Sequence, residues 1–155
     1  MQPAGIDSLK VFAECGRCIA GPYGCLVAAV LHKKDTCREH VGLEASRANR
    51  MRPAIYGAHP HLTAPGKESE PRDRVNDLPG SLCEKIGKFA IQRRLPEIAI
   101  GAIVADHDTG ARGFSMGFNY NGNLRSAELL LKKDRTVALI RRAETIEDHF
   151  AAMIL

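Results

Sequence analysis

Tryptophan is absent from this chain of 155 residues, and aromatic residues of all kinds make up only 5% of it. A core without large rings must be closed with Ile, Leu, Val and Ala, and an apolar content of 45% suffices for one domain-sized core. Long apolar runs are also missing. The longest, residues 25–31, has the length of a strand and falls far short of the ~20 residues that a bilayer-spanning helix requires. The opening residues, MQPAGIDSLK, lack a basic start followed by an apolar segment, so no secretory signal is visible. The five cysteines therefore read as reduced thiols of a cytoplasmic protein rather than as a disulfide framework. Internal repeats, low-complexity tracts and a glycine-rich phosphate loop leading into a helix are lacking as well. The net charge of +4 is spread over short pairs such as Lys33-Lys34, Arg93-Arg94, Lys132-Lys133 and Arg141-Arg142. Such pairs read as solvated flanks of strands rather than as a nucleic-acid surface.

What the chain does have is turn chemistry at close intervals. Residues 1–16 read as an irregular lead-in. Residues 17–34 predict a short strand, a Gly-Pro-Tyr-Gly turn and a longer strand, whose apolar run at 25–31 suits burial on both faces. A further strand is expected at 40–47, and one helical turn around Pro53 at 49–57. Pro65, Gly66, Pro71, Pro79 and Gly80 mark residues 63–81 as a loop. Strands are expected at 88–92, 97–105 and 114–120, with a polar turn at 106–113 and a turn at Asn121-Gly122. Segments 126–132 and 136–142 read as a hairpin through Lys133, Asp134 and Arg135. Residues 145–154 read as a helix capped by Thr145. The pattern is mainly β: a small barrel or sandwich with a few short helices.

One constellation suggests metal. Cys15 and Cys18 form a C-x2-C pair, and Cys37 and His40 form a C-x2-H pair. Four such ligands could close a tetrahedral zinc site in a Cys3His interaction module over residues 15–40. The rival reading makes Cys15, Cys18, Cys25 and Cys37 small buried fillers. His59 and His61 flank Pro60 and read as loop residues, and Asp106, His107 and Asp108 read as a solvated turn.

Several segments in order resemble the C-terminal part of diaminopimelate decarboxylases. Glu14-Cys15-Gly16-Arg17, followed by Gly21-Pro22-Tyr23-Gly24, is similar to that family's E-P-G-R and G-P-x-G. Arg52-Pro53-Ala54-Ile55-Tyr56 resembles its R-P-A-x-Y, and Gly80-Ser81-Leu82-Cys83-Glu84 its G-x-x-C-E. Residues 108–121 resemble its G-A-Y-G and S-x-x-Y-N region, and residues 140–145 its R-R-x-E-T close. The likeness runs from about residue 14 to about residue 150.

The resemblance implies a Greek-key-like C-terminal β-domain of the alanine racemase/ornithine decarboxylase type, with residues 1–155 forming that single domain. It implies pyridoxal 5'-phosphate as cofactor and a small amino acid as substrate, meso-diaminopimelate yielding L-lysine and carbon dioxide. By resemblance Cys83 is the catalytic proton donor; Arg17, Arg52, Tyr56 and Glu84 bind substrate; and Glu14, Cys15, Gly16, Arg17 and Arg112 approach the cofactor. No metal is implied. A homodimer is expected, or a partner supplying the N-terminal (β/α)8 barrel that carries the Schiff-base lysine and is absent from this chain. The chain alone is expected to be inactive. Ornithine, arginine and carboxynorspermidine decarboxylases share the architecture and stand as alternatives. The chain departs from the pattern at Cys15 (Pro in the family), Cys18 (an aromatic), Gly87 (Asp), Ala102 (Asp) and Arg112 (Tyr).

Overall fold

The computed structural model describes residues 10–57, 59–83 and 87–154. Six strands form one sheet: β1 (Cys25–Asp35), β2 (Glu39–Leu43), β3 (Leu62–Thr63), β4 (Arg74–Pro79), β5 (Lys88–Leu95) and β6 (Ile103–His107). Their order is β3-β6-β1-β2-β4-β5. All pairings are antiparallel except that of β2 with β4. The sheet curls into a nearly closed barrel, the expected mainly-β class. Val30, Val41, Leu43, Leu62, Leu78, Phe89, Leu95, Ile98 and Val104 fill it. With one ring among them, branched aliphatic side chains do the packing, as composition required. Short helices α1 (Gly16–Ala20), α2 (Arg52–Tyr56) and α3 (Ile146–His149) sit outside the sheet, and β7 (Glu128–Leu131) and β8 (Val137–Arg141) form a separate hairpin. No helix among the described residues is long and apolar enough to cross a membrane.

The expected hairpin, the helical turn at Pro53 and the Thr145 cap are all present, but the helix expected over 145–154 ends at His149 and the strand expected at 40–47 ends at Leu43. Thr145 and Asp148 cap each other reciprocally, side chain to backbone in both directions. Elsewhere the structure corrects the expectations. The short strand expected at the start of 17–34 is helix α1. Strand β1 runs on to Asp35 and is buried on one face only, with Ala28 and Val30 inside and Val27 and Leu31 more than half exposed. The expected loop 63–81 contains β4, hidden by the charges and proline it carries. Between Pro96 and Ala102 the chain turns rather than extends, and Gly101 takes a left-handed φ of 83°. Asp106 and His107 belong to β6 rather than to a turn. Residues 114–120 hold 3-10 turns at Phe114–Met116 and Tyr120–Gly122 instead of a strand.

The barrel's seam lies between the outer strands β3 and β5, which share no ladder. Arg93 of β5 crosses it, its guanidinium donating to the carbonyl of Pro60 (3.1 Å) and meeting Nδ1 of His59 (2.9 Å) just before β3.

Asp77 explains why β4 tolerates a buried carboxylate. It is 1% exposed. It accepts the Gln92 amide at 2.9 Å and the Lys88 ammonium at 3.1 Å. Gln92 has a left-handed φ of 52°, which turns its N–H out of the ladder and toward the carboxylate where the β4–β5 register slips. Burial pushes the Asp77 pKa up, but the Gln92 and Lys88 hydrogen bonds and the charges of Lys88 and Arg38 outweigh it, so the net shift is downward. A carboxylate held below its unfolded value of about 3.9 contributes stability that is complete above that value and fades as pH falls through the folded pKa. Asp77→Ala should therefore lower the unfolding free energy by about 1–3 kcal/mol at pH 7. The deficit against the parent chain should shrink below about pH 4, as read by urea titration at a series of pH values.

Candidate functional site

Cys15 N-caps α1, which runs directly into a 3-10 turn, Gly21–Tyr23, opened by Pro22. Gly24 then leads into β1. This segment is laced to the turn after β6. Thr109 N–H donates to the Gly24 carbonyl at 2.9 Å, Gly110 N–H donates to the Gly21 carbonyl at 3.0 Å, and the Arg17 guanidinium donates to the Asp108 carbonyl at 3.1 Å. The backbones meet so closely that a Cβ on Gly24 would lie 2.5 Å from the Gly110 Cα, so neither glycine can carry a side chain in place.

A second wall comes from α2, with Pro53 in its first turn and Gly57 as a left-handed C-cap (φ 60°). It is anchored by Arg50, which forms an ion pair with Asp106 of β6, both at most 3% exposed. Asp106 was expected to be a solvated turn residue; instead it is the buried partner of a guanidinium. Burial first, then the neighbouring charges of Arg17, Arg52 and Arg47, push the Arg50 pKa down to about 10, so it remains cationic at neutral pH. Its neighbour Arg47 is buried too, donating to the carbonyls of Lys88 and Phe89 in β5.

Between these walls lies an open cleft of about 490 Å³. Glu14, Cys15, Gly16, Arg17, Arg52 and Arg112, six of the residues nominated by sequence, all line it, together with Asp108. Two of its guanidinium groups have donors in want of an acceptor: the Nε atoms of Arg17 and Arg52 are buried without a hydrogen-bond partner among the described residues. Asp108 and Arg112 both hold a left-handed φ of 59°. Backbone of that kind costs about 1–3 kcal/mol per residue and is often found where a site must be shaped. Tyr56 stands at the rim, its ring centroid 5.9 Å from the Cζ of both Arg52 and Arg112. The site collects positive charge, and its orphaned donors suit an oxyanion. The phosphate of pyridoxal phosphate fits such a donor set. The aldehyde end finds no amine here, because no lysine lines the cleft among the described residues.

Cys83 is exposed, in the turn after β4, and does not line the cleft. Glu84 lies outside the described residues. The zinc set does not assemble. Cys15 and Cys18 sit before β1 while Cys37 and His40 lie at its far end, His40 opposite Lys34, and the length of the strand holds the pairs roughly 30 Å apart. No group of three or more potential metal ligands occurs among the described residues. Nor are the cysteines buried fillers: all five are exposed. Sequence reasoning passed over Arg50 and Arg47. Their signal was the density of arginine at 47, 50 and 52 beside an apolar strand, a density that solvation alone does not require.

Residues 19–110 match the family described as the C-terminal sheet domain of pyridoxal-dependent decarboxylases. Protein TabA of Pseudomonas amygdali pv. tabaci is 51% identical over 140 residues, covering 90% of this chain and 33% of that protein. The diaminopimelate decarboxylase of Methanothermobacter thermautotrophicus is 37% identical over 145 residues, 93% of this chain and 33% of that protein. Among solved structures, diaminopimelate decarboxylase from M. jannaschii in co-complex with L-lysine superimposes with a TM-score of 0.83 at 35% identity, over 90% of this chain and 32% of that one. The chain thus spans about a third of the length of the relatives it matches.

Asp106→Ala strands the Arg50 guanidinium in the interior and should cost about 3–5 kcal/mol, whereas the paired change Arg50→Met with Asp106→Leu should recover most of that loss. Chemical denaturation of the two variants beside the parent chain checks it.

Proposed function

The chain belongs to the pyridoxal-dependent decarboxylases, as their C-terminal sheet domain, and from that we propose that it serves a decarboxylase converting meso-diaminopimelate to L-lysine and carbon dioxide. Its part is to grip the anionic groups that enter the active site. The observation that carries this reading is the gathering of Arg17, Arg52 and Arg112 around one cleft, with buried, unpartnered donors on the first two.

In this reading Arg17 and Arg112, with the backbone of Glu14, Cys15 and Gly16, hold the phosphate of pyridoxal 5'-phosphate. When bound, the cofactor supplies an electron sink for the bond that breaks as carbon dioxide leaves. Arg52, with Arg17, grips the substrate's distal carboxylate through a planar pair of N–H donors, and Tyr56 closes the rim over it. Cys83 donates a proton to the carbon that carbon dioxide has left; a thiol suits this because its ordinary pKa lies near physiological pH. Glu84 takes the distal ammonium. Arg112 stands where the family has tyrosine. It adds charge for the phosphate and removes a phenol's hydrogen bond.

Since Cys83 is apart from the cleft, the proton donor comes from a second copy of the chain, and the working unit is a homodimer. The amine that anchors the cofactor comes from a (β/α)8 barrel like the one the resemblance implies. Diaminopimelate is favoured over the other substrates of the architecture because decarboxylases of that name are 30–37% identical across nearly the whole chain.

Two measurements test the reading. Calorimetric titration of the chain with inorganic phosphate should show binding that Arg17→Ala with Arg112→Ala weakens by roughly tenfold or more; equal affinity in both would remove the anion site. Residues 14–150 grafted in place of the corresponding domain of the Methanothermobacter enzyme should yield lysine from diaminopimelate. Cys83→Ala in that chimera should lower kcat by about 10²–10⁴ while moving KM little.

A further inference from the structure

The cleft wall carries chemistry that the decarboxylase reading does not use. Where the family pattern has proline and an aromatic residue, this chain has Cys15 and Cys18. We propose that these two thiols form a redox site, which a low-molecular-weight disulfide of the glutathione class converts reversibly to an intramolecular disulfide. The proposal stands apart from the proposed function, since it needs only the thiols and the turn that presents them.

The turn is already closed in the reduced chain. Cys15 is the N-cap of α1 and Cys18 its third residue, and the Cys18 N–H donates to the Cys15 carbonyl at 3.0 Å. The sulfur atoms lie 2.7 Å apart, well inside ordinary sulfur contact. Bond formation therefore needs little backbone movement. Both side chains are exposed, so a small disulfide can reach them. The two are unequal. The Cys18 thiol and backbone N–H, helped by the Arg17 charge, hold the Cys15 thiol below its usual range, while the facing Cys15 thiol pushes Cys18 up. Cys15 is the attacking thiolate and Cys18 the resolving thiol.

The steps balance. The Cys15 thiolate attacks one sulfur of the incoming disulfide, forming a mixed disulfide and expelling a thiolate that takes a proton from water. The Cys18 thiol then gives its proton to solvent, and its sulfur attacks the Cys15 sulfur and expels the second thiolate. Two cysteine thiols lose two electrons, and one external disulfide becomes two thiols.

The test treats the full chain with oxidised glutathione, alkylates the remaining thiols after denaturation and maps peptides by mass spectrometry. The expected result is a Cys15–Cys18 disulfide, with Cys25, Cys37 and Cys83 alkylated, and full reversal by dithiothreitol. Cys18→Ser should accumulate glutathione on Cys15, and Cys15→Ser should react severalfold more slowly at Cys18. Circular dichroism confirms that both variants are folded. Glutathione spread evenly over all five cysteines without the 15–18 bond, or equal rates for the two variants, overturns the proposal.

Discussion

The buried ion pair between Arg50 and Asp106 is the constraint around which the cleft is arranged. Two charges taken out of water are costly unless they face each other, so the segment carrying Arg50 has a single good position against β6. That position fixes the start of α2, and with it Arg52 and Tyr56. The carbonyl of Asp108, just past the end of the same strand, accepts from Arg17 and so holds α1. Both walls are thus hung from the end of one strand and the turn that follows it. The arrangement concentrates cations: Arg17 and Arg52 each make it harder for Arg50 to hold its proton. An oxyanion placed there would relieve this crowding.

How much of this was legible in the sequence depended on how local the signal was. The β7–β8 hairpin and the capped α3 were readable because turn residues and a capping box act within a few positions. Strand β4 was not, since its interior is polar: Asn76 and Asp77 are buried against partners on β5 that no periodicity reveals. Asp106 misled for the same reason, its partner lying 56 positions upstream. The cleft arginines were visible only as members of an ordered set of family motifs, because an arginine in isolation is most often a solvated charge. The cysteines illustrate the opposite failure. A general tendency of thiols to be buried gave way to a surface where every one is exposed.

The division between Cys83 and the arginine cleft has a structural logic. The cleft is built by segments around β1 and β6, whereas Cys83 follows β4, across the sheet order from them. Within one copy of the chain, Cys83 and the cleft therefore stand apart. The hairpin β7–β8 is a second feature of this surface. Leu129, Leu131, Val137 and Leu139 are all more than 60% exposed on it, an apolar ribbon unlike the surface of a solitary domain.

The seam at Arg93 carries a different consequence. Among the described residues the hydrogen bonds across this join come from one side chain, set between an eight-residue strand and a two-residue strand, and this makes a built-in line of weakness. Under mechanical load or slow thermal breathing the barrel splits along that line first, like a rolled sheet held by one pin.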